Sequence, residues 1–338
     1  MAKGKLYLCG EYAVVDGGAA VISAVEREIT AQIVVSGAGT VRVESQSEVR
    51  VDDPLRYVRA AMRVADVDVP DADLVFISQL AEDDGRGRKF GLGSSGAVTV
   101  ATLRALFTAA EVYPSPEELY KYAVCALLLA GDNGSFGDVA CSAYGQMVFY
   151  VKPSKTQVQY LREALAAHAP HAPHVTDLVA QHWEGLEIEP LEWPEDIDRR
   201  IGWTGHPASS AHLVNAVRAY KAEQPEDYAD FVRMSDGIAR TMRQACREND
   251  ADAFLRVYGL AGRVLSDFSA RTGGYALTEE LVTLNRLAER HGYTAKFSGA
   301  GGGDCGIALA QNSTDEQARA LEQAWQNAGI EPMHWTLS

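Results

Sequence analysis

The sequence predicts an α+β protein in two lobes, and three observations carry that reading. The first hundred residues read mostly as strands, and the residues beyond Ile201 mostly as helices. A proline-bearing acidic stretch separates the two textures. Two glycine-rich segments, one in each half, interrupt the regular patterns. With 338 residues the chain has room for two domains, expected as residues 1–190 and 191–338.

The elements follow in order. Lys5–Cys9 is a short apolar strand, and Glu28–Val35 and Thr40–Ser45 alternate as half-buried strands do. A helix is expected over Pro54–Ala65 and a strand over Leu74–Gln79. Ser95–Ala110 and Pro116–Ala130 carry helical patterns, with Pro114 and Pro116 punctuating between them. Gly134–Gly145 reads as a helix and Gln146–Val151 as a strand. Residues 166–198 read as a junction, with Glu184–Asp198 a solvated acidic run. Helical patterns then cover Ala208–Ala222, Glu226–Glu248, Asp250–Arg271 and Thr278–His291. A strand pair at Thr294–Ser298 and Asp304–Ala310, a helix near Thr314–Ala328 and a last strand complete the chain.

Charge and composition narrow the partners. A net charge of −15, with no basic run longer than two residues, disfavours nucleic acid and anionic membranes. The N-terminus MAKGKLYLCGEY does not read as a signal peptide, and no apolar run is long enough to span a bilayer. Five scattered cysteines (Cys9, Cys125, Cys141, Cys246, Cys305) form no C-x-x-C and read as reduced thiols in a cytoplasm. Cys9, Cys125 and Cys141 sit in apolar patterns, as core thiols would. The tract HAPHAPH is interrupted by prolines, lacks acidic ligands and reads as a loop.

The stretch FGLGSSGAVTVATLRAL, Phe90–Leu106, contains G-x-G-x-x-G. A dinucleotide turn needs a strand before it and a strand after its helix, and neither is present. No lysine follows Gly96, so it is not a Walker loop. Two readings stay open: a helix start capped by Ser94 or Ser95, or a phosphate cradle of backbone N–H groups at the positive end of an apolar helix. The segment KFSGAGGGDCGIALA, Lys296–Ala310, places four glycines in five residues between two strands, more than a hairpin needs. Lys5 reads either as a snorkelling edge lysine or as a point charge for a phosphoryl group. Asp138 and Asp132 each fit a loop decoration as readily as a catalytic carboxylate. Ser209 and Ser210 fit an ordinary cap as well as an anion receptor.

These stretches together resemble the GHMP small-molecule kinases, from Lys3 to Ala310. Lys5, Gly10, Glu11, Tyr12 and the turn at Gly17–Gly18 resemble the first signature, Phe90–Leu106 the second, and Lys296–Ala310 the third. GDNGSFGDVACSAYGQ and GWTGHPASSAHLV are similar to segments of the phosphomevalonate kinase branch. The resemblance implies a strand-rich N-terminal lobe with a glycine-loop helix and a ferredoxin-like C-terminal lobe. It implies ATP as phosphoryl donor, Mg²⁺, and phosphomevalonate as acceptor. ATP would bind Gly91, Leu92, Gly93, Ser94, Ser95 and Gly96. Lys5 and Asp138 would be catalytic, and Ser95 and Asp138 would hold the metal. The acceptor would meet Ser135, Ser209, Ser210, Ser298, Gly299, Ala300, Gly301 and Gly302. Lys5, Lys89, Arg199 and Lys296 are the candidates for screening phosphate charge, and Lys5 is a candidate to pair with Asp138. Ala81–Lys89 is the lid candidate. Mevalonate kinase, a decarboxylase of the same fold and a non-catalytic ligand-binding homologue are the alternatives. A monomer or homodimer is expected.

Overall fold

One long strand organises the N-terminal half. The computed structural model describes residues 1–34, 41–42, 55–67, 73–81, 89–167, 173–205, 210–274 and 276–338. Strand β1 (Ala2–Cys9) leads through a 3-10 turn (Ala13–Asp16) into β2 (Ala19–Val34). Then come β3 (Val41–Arg42), α1 (Leu55–Ala65), β4 (Asp73–Ser78), α2 (Ser94–Ala109), α3 (Pro116–Leu129), α4 (Gly137–Tyr144), β5 (Val148–Val151), α5 (Lys155–Ala166), α6 (Val175–Ala180) and β6 (Glu187–Pro190). The second half holds β7 (Ile197–Trp203), α7 (Ser210–Glu223), α8 (Pro225–Arg247), α9 (Ala251–Arg271), α10 (Glu279–Arg290), β8 (Thr294–Phe297), β9 (Cys305–Gln311), α11 (Asp315–Asn327) and β10 (Glu331–Met333).

The first sheet has the order β3-β4-β2-β5-β6, with β1 also paired to β2. Opposite its β1 edge, β2 meets three partners in succession. Ala19–Ile22 pair with β5, Ala24 and Glu26 bond to the chain's last residues, and Ile29–Val34 pair with β4. The second sheet has the order β10-β7-β9-β8. Helix α2 is buried along nearly its whole length, including Ala97, Val100, Ala101 and Leu103, and packs against β2, α1 and α3. A helix apolar on all sides belongs inside a core, and this one fixes the direction in which its N-terminal tip points.

Several elements differ from the sequence expectation. The first half of β2 is buried on both faces, so it lacks the alternation that marks Glu28–Val34. Strand β7 was hidden by Asp198, Arg199 and Arg200. Asp198 instead accepts hydrogen bonds from Arg200 (2.9 Å), Tyr293 (2.6 Å) and Ser313 (2.7 Å). The acidic run is not a solvated junction: β6 pairs with β5, and Arg247 grips Glu189 through two bonds of 2.7 and 2.6 Å. Helix α5 was not foreseen. All five cysteines are unbridged and buried, and burial pushes their thiols up. Most of the HAPHAPH tract and of the lid candidate lies outside the described residues, although Ala81 and Lys89 form an antiparallel bridge at the lid's ends. Among the described residues no helix is long and apolar enough to cross a membrane.

Candidate active site

The tips of α2 and α3 begin differently, and the difference locates the site. Ser115 caps α3 in a capping box with Glu118, with Pro116 at the first turn. Helix α2 has Gly93 at its N-cap, in the left-handed conformation, and no side chain caps it. Neither Ser94 nor Ser95 serves as a cap, so the hydroxyls and leading N–H groups stay at the helix's positive end.

Lys5 and Asp138 converge on this tip. A Cβ built on Gly93 would lie 3.0 Å from Asp138 Cβ and 3.1 Å from Lys5 Cε. One built on Gly96 would lie 2.8 Å from Asp138 Oδ2. Glycine at these positions therefore clears space for both side chains. Strand β1 delivers Lys5: its N–H donates to Leu92 O (3.0 Å), and its Nζ donates to Gly91 O (3.2 Å). Asp138 enters from the first turn of α4. Burial pushes its carboxyl above the ordinary range, while the Lys5 charge pulls the other way. The expected direct Lys5–Asp138 pair is absent: among the described residues no ion pair within 4.0 Å joins them, because the ammonium turns to Gly91 O.

The third glycine segment closes over the same place. A Cβ on Gly299 would stand 4.0 Å from Lys5 Nζ, and one on Gly91 would meet Asp304 Oδ2 at 2.3 Å. Three bonds stitch this segment to residues 7–12. Tyr7 N–H donates to Ser298 Oγ (2.6 Å), Lys296 Nζ bonds Glu11 Oε1 (2.5 Å), and Tyr12 OH donates to Ala300 O. Tyr12 itself has φ 61 and ψ −52. With Ala13 N–H donating to Glu11 O (2.7 Å), it occupies the centre of a strained γ-turn.

The structure places the remaining expected contacts as follows. The N–H groups of Ser298 and Gly302 are already bonded, to Cys305 O (2.9 Å) and Ala276 O (2.7 Å), and a Cβ on Gly301 would meet Ala276 O at 2.3 Å. Gly299 faces Lys5, with its Cβ position 4.0 Å from Lys5 Nζ. Lys296 is 1% exposed and committed to Glu11, so it does not screen a phosphate. Arg199 lies four residues along β7 from Trp203, the strand end beside Cys305. That is about 13 Å at the usual strand rise, and its guanidinium stacks on Trp193 (5.0 Å). Ser135 Oγ sits 2.9 Å from Tyr7 OH, one chain turn before Asp138. Ser209 lies outside the described residues, and Ser210 begins α7. Lys89 is half-buried beside the glycine loop, and burial lowers its ammonium. Tyr7, Tyr12 and Asp304 were missed. Asp304 had a local signal, as a non-glycine at φ 57 in a glycine run.

Hard oxygen donors mark a possible metal position. Asp138 offers a carboxylate and Ser95 a hydroxyl at the helix tip, and no side-chain hydrogen bond occupies that hydroxyl among the described residues. Those residues hold no cluster of three or more His, Cys, Asp or Glu suited to a metal. A pair of this kind suits Mg²⁺, which keeps water and substrate phosphate for most of its ligands.

Comparison with known proteins gives a consistent family. Residues 56–146 match GHMP kinases N terminal domain, and residues 242–331 match GHMP kinases C terminal. The chain is 32% identical to a phosphomevalonate kinase of Streptomyces sp. (strain CL190), over 99% of this chain and 96% of the relative. A Lin0012 protein from Listeria innocua superposes with a TM-score of 0.86 at 30% identity, covering 100% of this chain and 96% of that one. Streptococcus pneumoniae phosphomevalonate kinase in complex with phosphomevalonate and AMPPNP superposes with a TM-score of 0.81 at 25% identity, covering 100% and 98%.

Proposed function

The chain belongs to the GHMP kinase family, and on that premise we propose that it transfers the γ-phosphoryl group of ATP to the phosphate of (R)-5-phosphomevalonate. The products are 5-diphosphomevalonate and ADP, on the mevalonate route to isoprenoids. The observation that carries the reading is the convergence of Lys5 and Asp138 on a helix tip that no side chain caps. Similarity over the full chain to phosphomevalonate kinases supports the choice of acceptor.

In this reading residues 1–190 carry the nucleotide and residues 191–338 close the acceptor side. The N–H groups of Gly93–Gly96 cradle the ATP phosphates. An oxygen of the acceptor phosphate attacks the γ-phosphorus as the bond to the bridging oxygen of ADP breaks. The acceptor's second pKa lies near 6, so it is already dianionic at neutral pH and needs no base. Asp138 therefore has no proton to remove, and its part is charge beside Lys5 and the helix tip rather than general base. Lys5 offsets charge on the transferred group, where a preorganised cation has its greatest effect. Ser95 and Asp138 would hold Mg²⁺, which when bound neutralises charge on the β- and γ-phosphates. The buried thiols fit a reducing cytoplasm.

A coupled ADP-release assay with mevalonate, phosphomevalonate and diphosphomevalonate tests the proposal. Turnover with phosphomevalonate alone is the expected result. Preference for mevalonate, CO₂ release from diphosphomevalonate, or silence with all three would overturn it.

A further inference from the structure

Lys152 is a half-buried cation with no carboxylate in contact, although Asp16 and Asp132 act on it from beyond 4.0 Å. It follows β5 directly, donates to Gly134 O (2.7 Å), and lies 4.9 Å from the Phe136 ring centroid. Among the described residues no carboxylate comes within 4.0 Å of it. Of its basic neighbours, the two lysines contact a carboxylate and Arg162 is held by neutral oxygens. Lys155 and Lys221 share Asp16 Oδ1 at 2.8 and 2.6 Å, Tyr228 OH takes Oδ2 at 2.8 Å, and Arg162 reaches Asn133 Oδ1 and Asp132 O. Burial first, and Arg162 next, lower the Lys152 ammonium to about 8. A desolvated cation whose one direct partner is a neutral carbonyl, with Asp16 and Asp132 acting only at longer range, still lacks a counter-charge in contact.

Its position gives that vacancy a direction. The glycine loop touches Asp138 from one side, through Gly93 and Gly96. Gly134 and Ser135 precede Asp138 in the chain, on the segment that leads into α4. Tyr150 OH holds Ser135 O (2.7 Å), Tyr7 OH meets Ser135 Oγ (2.9 Å), and Lys152 holds Gly134 O. With the nucleotide at the glycine loop, the acceptor takes the side of Gly134 and Ser135. Phosphomevalonate is anionic at both ends of its carbon chain. Its phosphate must reach the γ-phosphoryl group at Lys5, which leaves its carboxylate pointing outward. In a chain of net charge −15, a second anion needs a dedicated cation.

We infer that Lys152 receives the carboxylate of phosphomevalonate and thereby sets how far the acceptor phosphate reaches toward Lys5. This rests on the acceptor proposed above. Lys152 is then a binding residue that selects a phosphorylated acid over a phosphate ester of similar size without the acid.

Steady-state kinetics of wild type, Lys152→Met and Lys152→Arg test this, using phosphomevalonate and the analogue whose carboxylate is replaced by methyl. Lys152→Met is expected to raise KM for phosphomevalonate about 10- to 100-fold, with KM for ATP within about twofold of wild type. Lys152→Arg is expected to recover most of the loss. The analogue should bind wild type and Lys152→Met equally poorly. An unchanged KM in Lys152→Met, or an equal penalty with the analogue, would overturn the inference, since Lys152 would then only brace the Gly134 loop. Wild type that turns over another acceptor but not phosphomevalonate would sink the acceptor reading, and this inference with it. Thermal melts separate lost binding from lost fold, and Lys152→Arg tested on both substrates decides the matter if Lys152→Met does not fold.

Discussion

Lys5 and Lys296 are both buried lysines beside the third glycine segment, and they are put to opposite uses. Lys296 is locked to Glu11 at 2.5 Å and bonds Phe297 O at 2.7 Å, leaving its charge spent inside the protein. Lys5 has a single carbonyl, Gly91 O, and faces the tip of α2. One pair holds two loops together, and the other cation keeps only a neutral carbonyl partner beside the helix tip. A lysine near a glycine loop is therefore diagnostic only once its partner is known.

The contrast breaks most severely at Lys296. Lys296→Met would strand Glu11 as a buried unpaired charge and should destabilise the fold by about 3–5 kcal/mol, read by denaturant unfolding. The double variant Glu11→Gln/Lys296→Met should regain most of that stability. If the single variant unfolds like wild type, the pair is not structural. Next in size is Lys5→Met, which should lower kcat by about 10²–10³ while its melting curve stays close to wild type. Lost stability with unchanged kcat would reverse the assignment of the two lysines.

Asp138 sharpens the comparison in a third way. Its folded pKa is raised, chiefly by burial. The ionised form is therefore disfavoured in the folded state, and stability falls as pH rises past the unfolded carboxylate range. Asp138→Asn should thus raise Tm at neutral pH by about 2 °C or more, with no gain at pH below that range, although activity drops. A lower Tm at neutral pH would mean that Lys5 stabilises the carboxylate more than burial penalises it.

The smallest effect concerns Asp16. Burial opposes its ionisation, but bonds from Lys155, Lys221 and Tyr228 outweigh that and hold it at about 2 against an ordinary 3.8. Because the folded pKa is depressed, its stabilisation is complete above 3.8 and lost as pH falls through about 2. Asp16→Asn should cost stability at pH 6 and almost none at pH 2, as measured by urea melts at both values. An equal cost at both would remove charge from the explanation.

Much of this was legible in the sequence, for physical reasons that also mark its limits. The order of strands and helices and the glycine loop follow from local patterns, whereas the joint part of Lys5 and Asp138 came only through the family resemblance of the first signature and of GDNGSFGDVACSAYGQ. What stayed hidden was tertiary. Glu11 lies 285 residues from Lys296, so no window contains both, and a lysine beside glycines reads as a phosphate ligand. The Ala276 carbonyl that consumes Gly302 N–H is equally distant from any motif logic. Lys152 carries no sequence signal, since its meaning comes from having no carboxylate in contact. Ala19–Val25 escaped because a strand covered on both faces has no period to find.

The successive bonding along β2 has a mechanical consequence. A hinge needs a line that few bonds cross, and this strand is bonded along both of its edges by β1, β5, the chain's end and β4. No such line crosses β2, so the sheet is bonded as one continuous unit along the whole strand. Any rearrangement on ligand binding is therefore expected in the parts mounted on the sheet, the glycine segments and the neighbouring helix tips, rather than within β2 itself.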